Sequence, residues 1–87
     1  MTFRIETAAR GRFTVLILSG RIETQAIAEL KRLLEGQPNI RDIVIDLKDV
    51  GVIDRDGVRY LMSCEAKGLK LENCPSYICE WMEREKN

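Results

Sequence analysis

Asp46, Asp49, Asp54 and Asp56 crowd one stretch of the chain, and carboxylate oxygens gathered in this way are the ligands a Mg²⁺ ion takes. No phosphate-binding loop accompanies them. Asp54 and Asp56 have a simpler use at the start of a helix, where a carboxylate caps free N–H groups and meets the positive end of the dipole. The second chemical candidate is sulfur. Cys74 precedes Pro75 at a predicted helix N-terminus, a setting that can lower a thiol pKa, but its spacing to Cys79 is Cys-x₄-Cys rather than the redox Cys-x-x-Cys. Core or cap thiols are the better reading of Cys74 and Cys79. The chain has no His, which removes the commonest general base and transition-metal ligand. These residues therefore argue for a non-catalytic protein with no cofactor, and a small redox or metal-binding protein ranks last among the alternatives.

Composition narrows the partners. The 87 residues carry 14 Lys+Arg against 14 Asp+Glu and are 45% hydrophobic, enough for one core in a single domain spanning residues 1–87. With no net charge and no Lys/Arg block, neither nucleic acid nor anionic lipid is an expected partner. The longest apolar run, Val15 to Leu18, is far below the roughly 20 residues that span a bilayer. No membrane insertion is expected, and without a signal pattern the expected location is the cytoplasm. Three cysteines are too few and odd for a stapled secreted scaffold, so all are read as reduced.

The elements that must position these residues alternate between two periodicities. Phe3 to Ala8 and Arg12 to Ser19 alternate as strands around a turn at Ala9-Arg10-Gly11, and Gly20 is expected to end the second. Ala26, Ile27, Leu30, Leu33 and Leu34 then fall at helical spacing, which predicts a helix from Thr24 to Glu35 closed by Gly36 and Pro38. Ile43-Val44-Ile45, within Asp42 to Leu47, reads as a central strand covered on both faces. A polar turn is expected at Lys48 to Gly51. Asp54-Arg55-Asp56-Gly57 then opens a helix that buries Val58, Leu61, Met62 and Cys64 and ends at Gly68. Glu65, seven residues after Val58, is turned toward its apolar face and expected to snorkel at the edge. Leu69 to Glu72 forms a short strand, and Pro75 occupies the first position of a last helix with Ile78, Trp81 and Met82 inward. The fold class is α/β, with order β-β-α-β-α-β-α. A mixed four-stranded sheet is expected, with helices mainly on one face and right-handed crossovers.

Three segments resemble the STAS domain, the module of bacterial anti-sigma factor antagonists and of sulfate-transporter tails. They are Leu18-Ser19-Gly20-Arg21-Ile22-Glu23, Ile43-Val44-Ile45-Asp46-Leu47 and Asp54-Arg55-Asp56-Gly57. The resemblance reaches from about Phe3 to Gly68 and implies a STAS-like fold and a protein-interaction role in transcription signalling. In that family the last motif usually reads Asp-Ser-x-Gly, and its Ser is phosphorylated by an anti-sigma kinase. Arg55 stands at that position here, so the usual phosphate switch has no hydroxyl to act on. The chain also has a short second helix and stops after the third, where family members continue through another strand and helix.

The resemblance implies a partner such as an anti-sigma factor, often kinase-like. Alternatively, it implies the ATPase subunit of a membrane lipid-transport complex, to which some solitary STAS proteins bind as accessory subunits. Asp54, Arg55, Asp56, Gly57 and Arg59 are the expected partner-binding residues. Arg55, Asp56 and Arg59 are expected to point into solvent without contributing to the core, the two guanidinium groups offering bidentate contacts. Association of the chain with a second copy is left open.

Overall fold

The computed structural model describes residues 2–86. Strand β1 (Phe3–Arg10) pairs antiparallel with β2 (Phe13–Ile22) in an unbroken register from Phe3↔Gly20 to Arg10↔Phe13. The connection is thus the two residues Gly11 and Arg12, tighter and later than the turn expected at Ala9-Arg10-Gly11, because Ala9 and Arg10 are drawn into the ladder opposite Thr14 and Phe13. Gly20 does not end β2. It lies within the strand at φ +84°, and a Cβ there would stand 2.1 Å from the Thr2 carbonyl oxygen. Close approach of the preceding chain, rather than strand termination, accounts for the glycine.

Helix α1 (Thr24–Glu35) has the expected bounds and buries Ala26, Ile27 and Leu30. After a single 3-10 turn, Ile40–Asp42, strand β3 runs from Ile43 to Ile53. The turn expected at Lys48 to Gly51 is part of this strand. Two register irregularities against β2, between Ile17 and Ser19 and between Gly20 and Arg21, let Lys48 and Asp49 stay exposed while Val50 turns inward. Such irregularities bend and twist a strand without ending it. Helix α2 (Arg55–Ala66), the short strand β4 (Lys70–Glu72) and helix α3 (Ser76–Glu85) follow. Pro75 caps α3 instead of occupying its first position. Helix α2 has 12 residues, the same length as α1.

The sheet order is β1-β2-β3-β4, with β3 parallel to both neighbours. Ile43, Ile45 and Leu47 of β3 join Leu16 and Leu18 of β2 in one cluster with Ala26, Ile27 and Leu30 of α1, Val58, Leu61 and Cys64 of α2, and Ile78 and Met82 of α3. All three helices therefore pack on one face of the mixed sheet. Trp81 is half-buried against the same core.

Val15 and Val44 alternate to the opposite face and are nevertheless buried, at 7% and 3% exposure. Val44 shares a shallow groove on this face with Arg10, Phe13, Lys70 and Glu72: Arg10 reaches from β1 to Glu72 of β4 at 2.9 Å, and Arg12 and Lys70 each stand 5.3 Å from the Phe13 ring centre. Apolar stems thus shield this face while their charged ends stay in water. No helix among the described residues is long and apolar enough to cross a membrane.

Candidate functional site

Parallel pairing brings the ends of β2 and β3 to the same edge of the sheet, with Ile22 opposite Ile53. Both following helices consequently begin there, α1 at Thr24 and α2 at Arg55. The carboxyl ends of parallel strands are the usual place for a site in an open α/β sheet. A groove of about 260 Å³ occupies this corner, lined among others by Arg21, Glu23, Thr24, Gln25 and Asp54.

Asp54 is the N-cap of α2, in extended conformation, and its Oδ1 accepts the Gly57 N–H at 2.8 Å. Capping thus accounts for the first of the expected partner-binding residues. Gly57 is buried, and a Cβ on it would meet Ile53 Cγ1 at 2.8 Å and the Ile22 carbonyl oxygen at 3.0 Å. Its lack of a side chain lets the helix start sit directly on the ends of both strands.

The three charged residues divide by helical geometry. Arg55 and Arg59, four apart, face α3, where Arg59 Nε donates to Glu85 Oε1 at 3.1 Å and Arg55 Nε lies 3.6 Å from Oε2. Trp81 Nε1 donates to Glu85 Oε2 at 3.3 Å. The Glu85 side chain is only 14% exposed, whereas those of Arg55 and Arg59 are 64% and 61% exposed. The Arg59 hydrogen bond, aided by Trp81 and the Arg55 charge, holds the Glu85 carboxyl below its ordinary pKa. The expectation that both arginines are free solvent groups is therefore corrected: they are exposed, but they fasten α3 to α2. Asp56 is exposed on the other side of α2, in a groove shared with Thr24, Ala28 and Lys31 of α1 and with Tyr60.

The remaining candidates lie elsewhere. Asp46 accepts the Lys48 N–H at 2.9 Å and the Asn73 side-chain amide at 3.2 Å, joining β3 to the segment after β4. Among the described residues no three His, Cys, Asp or Glu side chains gather where they could hold a metal ion. All three cysteines are free thiols. Burial, reinforced by the neighbouring Cys79 and the charge of Glu65, pushes the Cys74 thiol up to about 12, so the helix N-terminus does not make it a thiolate. Burial also raises Cys64. Glu65 itself is exposed; the edge of α2 lets its carboxylate reach water without crossing the apolar face.

Sequence reasoning missed Glu85, which nothing local distinguishes from the other acidic residues of α3. Arg21 and Glu23 were within reach, since both fall in the Leu18 to Glu23 segment. Comparison of the chain with protein-family models and with curated proteins gives no match.

Proposed function

We propose that the chain is a non-catalytic protein-interaction module of the STAS type, resembling an anti-sigma factor antagonist, whose partner meets the corner where α1 and α2 begin. The observation that carries this reading is the junction of two segments far apart in sequence. Arg21 and Glu23 line one groove with Asp54, and beside it Arg55, Asp56 and Arg59 expose charge on a rigid, capped helix start. Charged groups held on a rigid element suit recognition of a protein surface. Arg55 supplies a fixed positive charge at the position where the resemblance would put a phosphorylatable Ser, so control by phosphate addition is not expected there.

The first experiment is affinity capture from the native host with the full chain as bait, followed by mass spectrometry. An anti-sigma kinase-like protein supports the reading, whereas an ATPase subunit of a lipid transporter moves the assignment to that class. With the partner in hand, Arg55→Ala with Arg59→Ala is compared with Glu85→Gln. The arginine double variant should weaken binding at least about tenfold, and Glu85→Gln, which loosens the same clasp but keeps both guanidinium groups, should leave binding intact. Equal losses in the two would mean that the arginines act only by holding α3.

A further inference from the structure

The two edges of the sheet are unequal. On one side β4 contributes only three residues, a short edge of the kind that discourages further pairing. On the other side β1 is eight residues long, and its register with β2 is unbroken. It contains no Pro. Among the described residues β1 hydrogen-bonds laterally to β2 alone.

The direction of its free groups follows from the ladder. Arg21 N–H donates to the Thr2 carbonyl at 2.8 Å, and antiparallel pairs alternate between bonded and non-bonded. Arg4, Glu6, Ala8 and Arg10 therefore bond inward to β2. Phe3, Ile5, Thr7 and Ala9 direct their N–H and C=O groups outward. A second strand pairing here must meet that odd-numbered set.

Charge then selects the partner and the register. Arg4 and Glu6 project from the sheet face that carries no helix, 2.7 Å apart and with side chains 74% and 51% exposed. When β1 pairs antiparallel with another β1 around Ile5, each Arg4 lies opposite the other chain's Glu6, and the two pairs form one cluster of alternating charge. Centring on Glu6 would oppose two glutamates, and centring on Thr7 would oppose Arg4 to Arg10. Like charges directly opposite are destabilising. Centring on Ala8 opposes Glu6 to Arg10, but Arg10 is already extended to Glu72 and the small Ala8 would lie at the axis. Ile5 is half-buried against the core cluster, so its twofold contact adds apolar burial. A chain of net charge zero meets no overall repulsion from its own copy.

We infer that β1 is a self-association edge on which a second copy of this chain adds its own β1, antiparallel about Ile5, joining two four-stranded sheets into one. This is an isologous contact in which the same segment serves both chains. Its small size makes the dimer reversible and concentration-dependent.

Sedimentation of the full chain from about 10 µM to about 1 mM covers the affinity range of such a contact. A monomer–dimer equilibrium is expected for the unmodified chain. Arg4→Glu and Glu6→Arg should each weaken it about tenfold, and combining them should restore it, since the swapped pair is again complementary. Thr7→Pro should abolish it without removing an intrachain bond, because the Thr7 N–H faces outward. Circular dichroism verifies that each variant is folded. A chain monomeric throughout overturns the inference, as does association that survives Thr7→Pro or is not restored by the swap. Loss with Glu6→Arg but not with Arg4→Glu overturns this register and favours the Ala8-centred one.

Discussion

Arg59 on α2 donates from Nε to the Oε1 of Glu85 on α3 at 3.1 Å, and the Glu85 side chain is 14% exposed. The contact joins residues 26 apart in sequence and is the polar part of the α2–α3 seam, over the apolar contribution of Ile78 and Met82. It also ties the helix that carries the candidate interaction surface to the last helix of the chain.

Glu85→Gln should lower the melting temperature at neutral pH, and the effect should depend on acid in a definite sense. The folded-state pKa of Glu85 is depressed, so its contribution is complete above the ordinary Glu value of about 4.3 and disappears as pH falls through the depressed one. Thermal unfolding followed by circular dichroism from neutral to acid pH should show the gap between the two proteins closing below about pH 4. A gap that persists unchanged in acid would mean that the carboxylate charge is not what Glu85 contributes.

Arg55→Glu with Arg59→Glu should lower the melting temperature by more than Glu85→Gln does. It replaces two attractions to Glu85 by two repulsions, and like charges at contact distance destabilise. Melting curves of the two variants side by side decide it; an unchanged transition in the double reversal would show that α3 is held by its apolar side chains alone.

Gly57→Ala should destabilise the chain by about 1–3 kcal/mol, as overpacking does, although Gly to Ala inside a helix ordinarily gains about 0.5–1 kcal/mol. The new Cβ would lie 3.0 Å from the Ile22 carbonyl oxygen and 2.8 Å from Ile53 Cγ1, and the backbone oxygen is fixed by the sheet. Urea titration measures the sign, and a more stable variant would refute the close approach.

Asp54→Ala should cost about 1 kcal/mol by releasing the Gly57 N–H, the usual loss for an N-cap. Asp54→Asn should recover most of it, because an amide oxygen caps nearly as well as a carboxylate. Equal losses in the two variants would assign Asp54 a charge role beyond capping.

Disulfide-exchange labelling at pH 8 should modify Cys79 first. Cys79 is exposed and Cys64 buried, while burial, which pushes the Cys74 thiol up to about 12, keeps it almost wholly protonated at that pH. The rate at Cys74 should climb through the alkaline range as its thiolate forms. Faster reaction at Cys74 than at Cys79 below pH 9 would contradict the burial that raises it.

Local patterns carried the elements. The spacing of Ala26, Ile27 and Leu30 marked α1 to its observed bounds, and Ile43-Val44-Ile45 marked the inner strand, whose Ile45 is fully buried. Asp54 was readable as a cap because the partner it needs, the Gly57 N–H, is three residues away. Gly20 and the Lys48 to Gly51 stretch misled the same reading. Each looks like a break when judged alone, and each is kept in its strand by pairing to another segment.

What the sequence by itself determined is therefore local: periodicity, caps, the absence of imidazole chemistry, and a core whose members alternate or recur every three to four residues. Only the tertiary structure decided that Arg55 and Arg59 close on Glu85, that Arg21 and Glu23 share a groove with Asp54, and that β1 is left as the long open edge. Those outcomes depend on the register of β2 against β3 and on where α3 comes to rest. Both are set by burying apolar surface, which is non-directional, so no local sequence signal specifies which charged side chains are brought together.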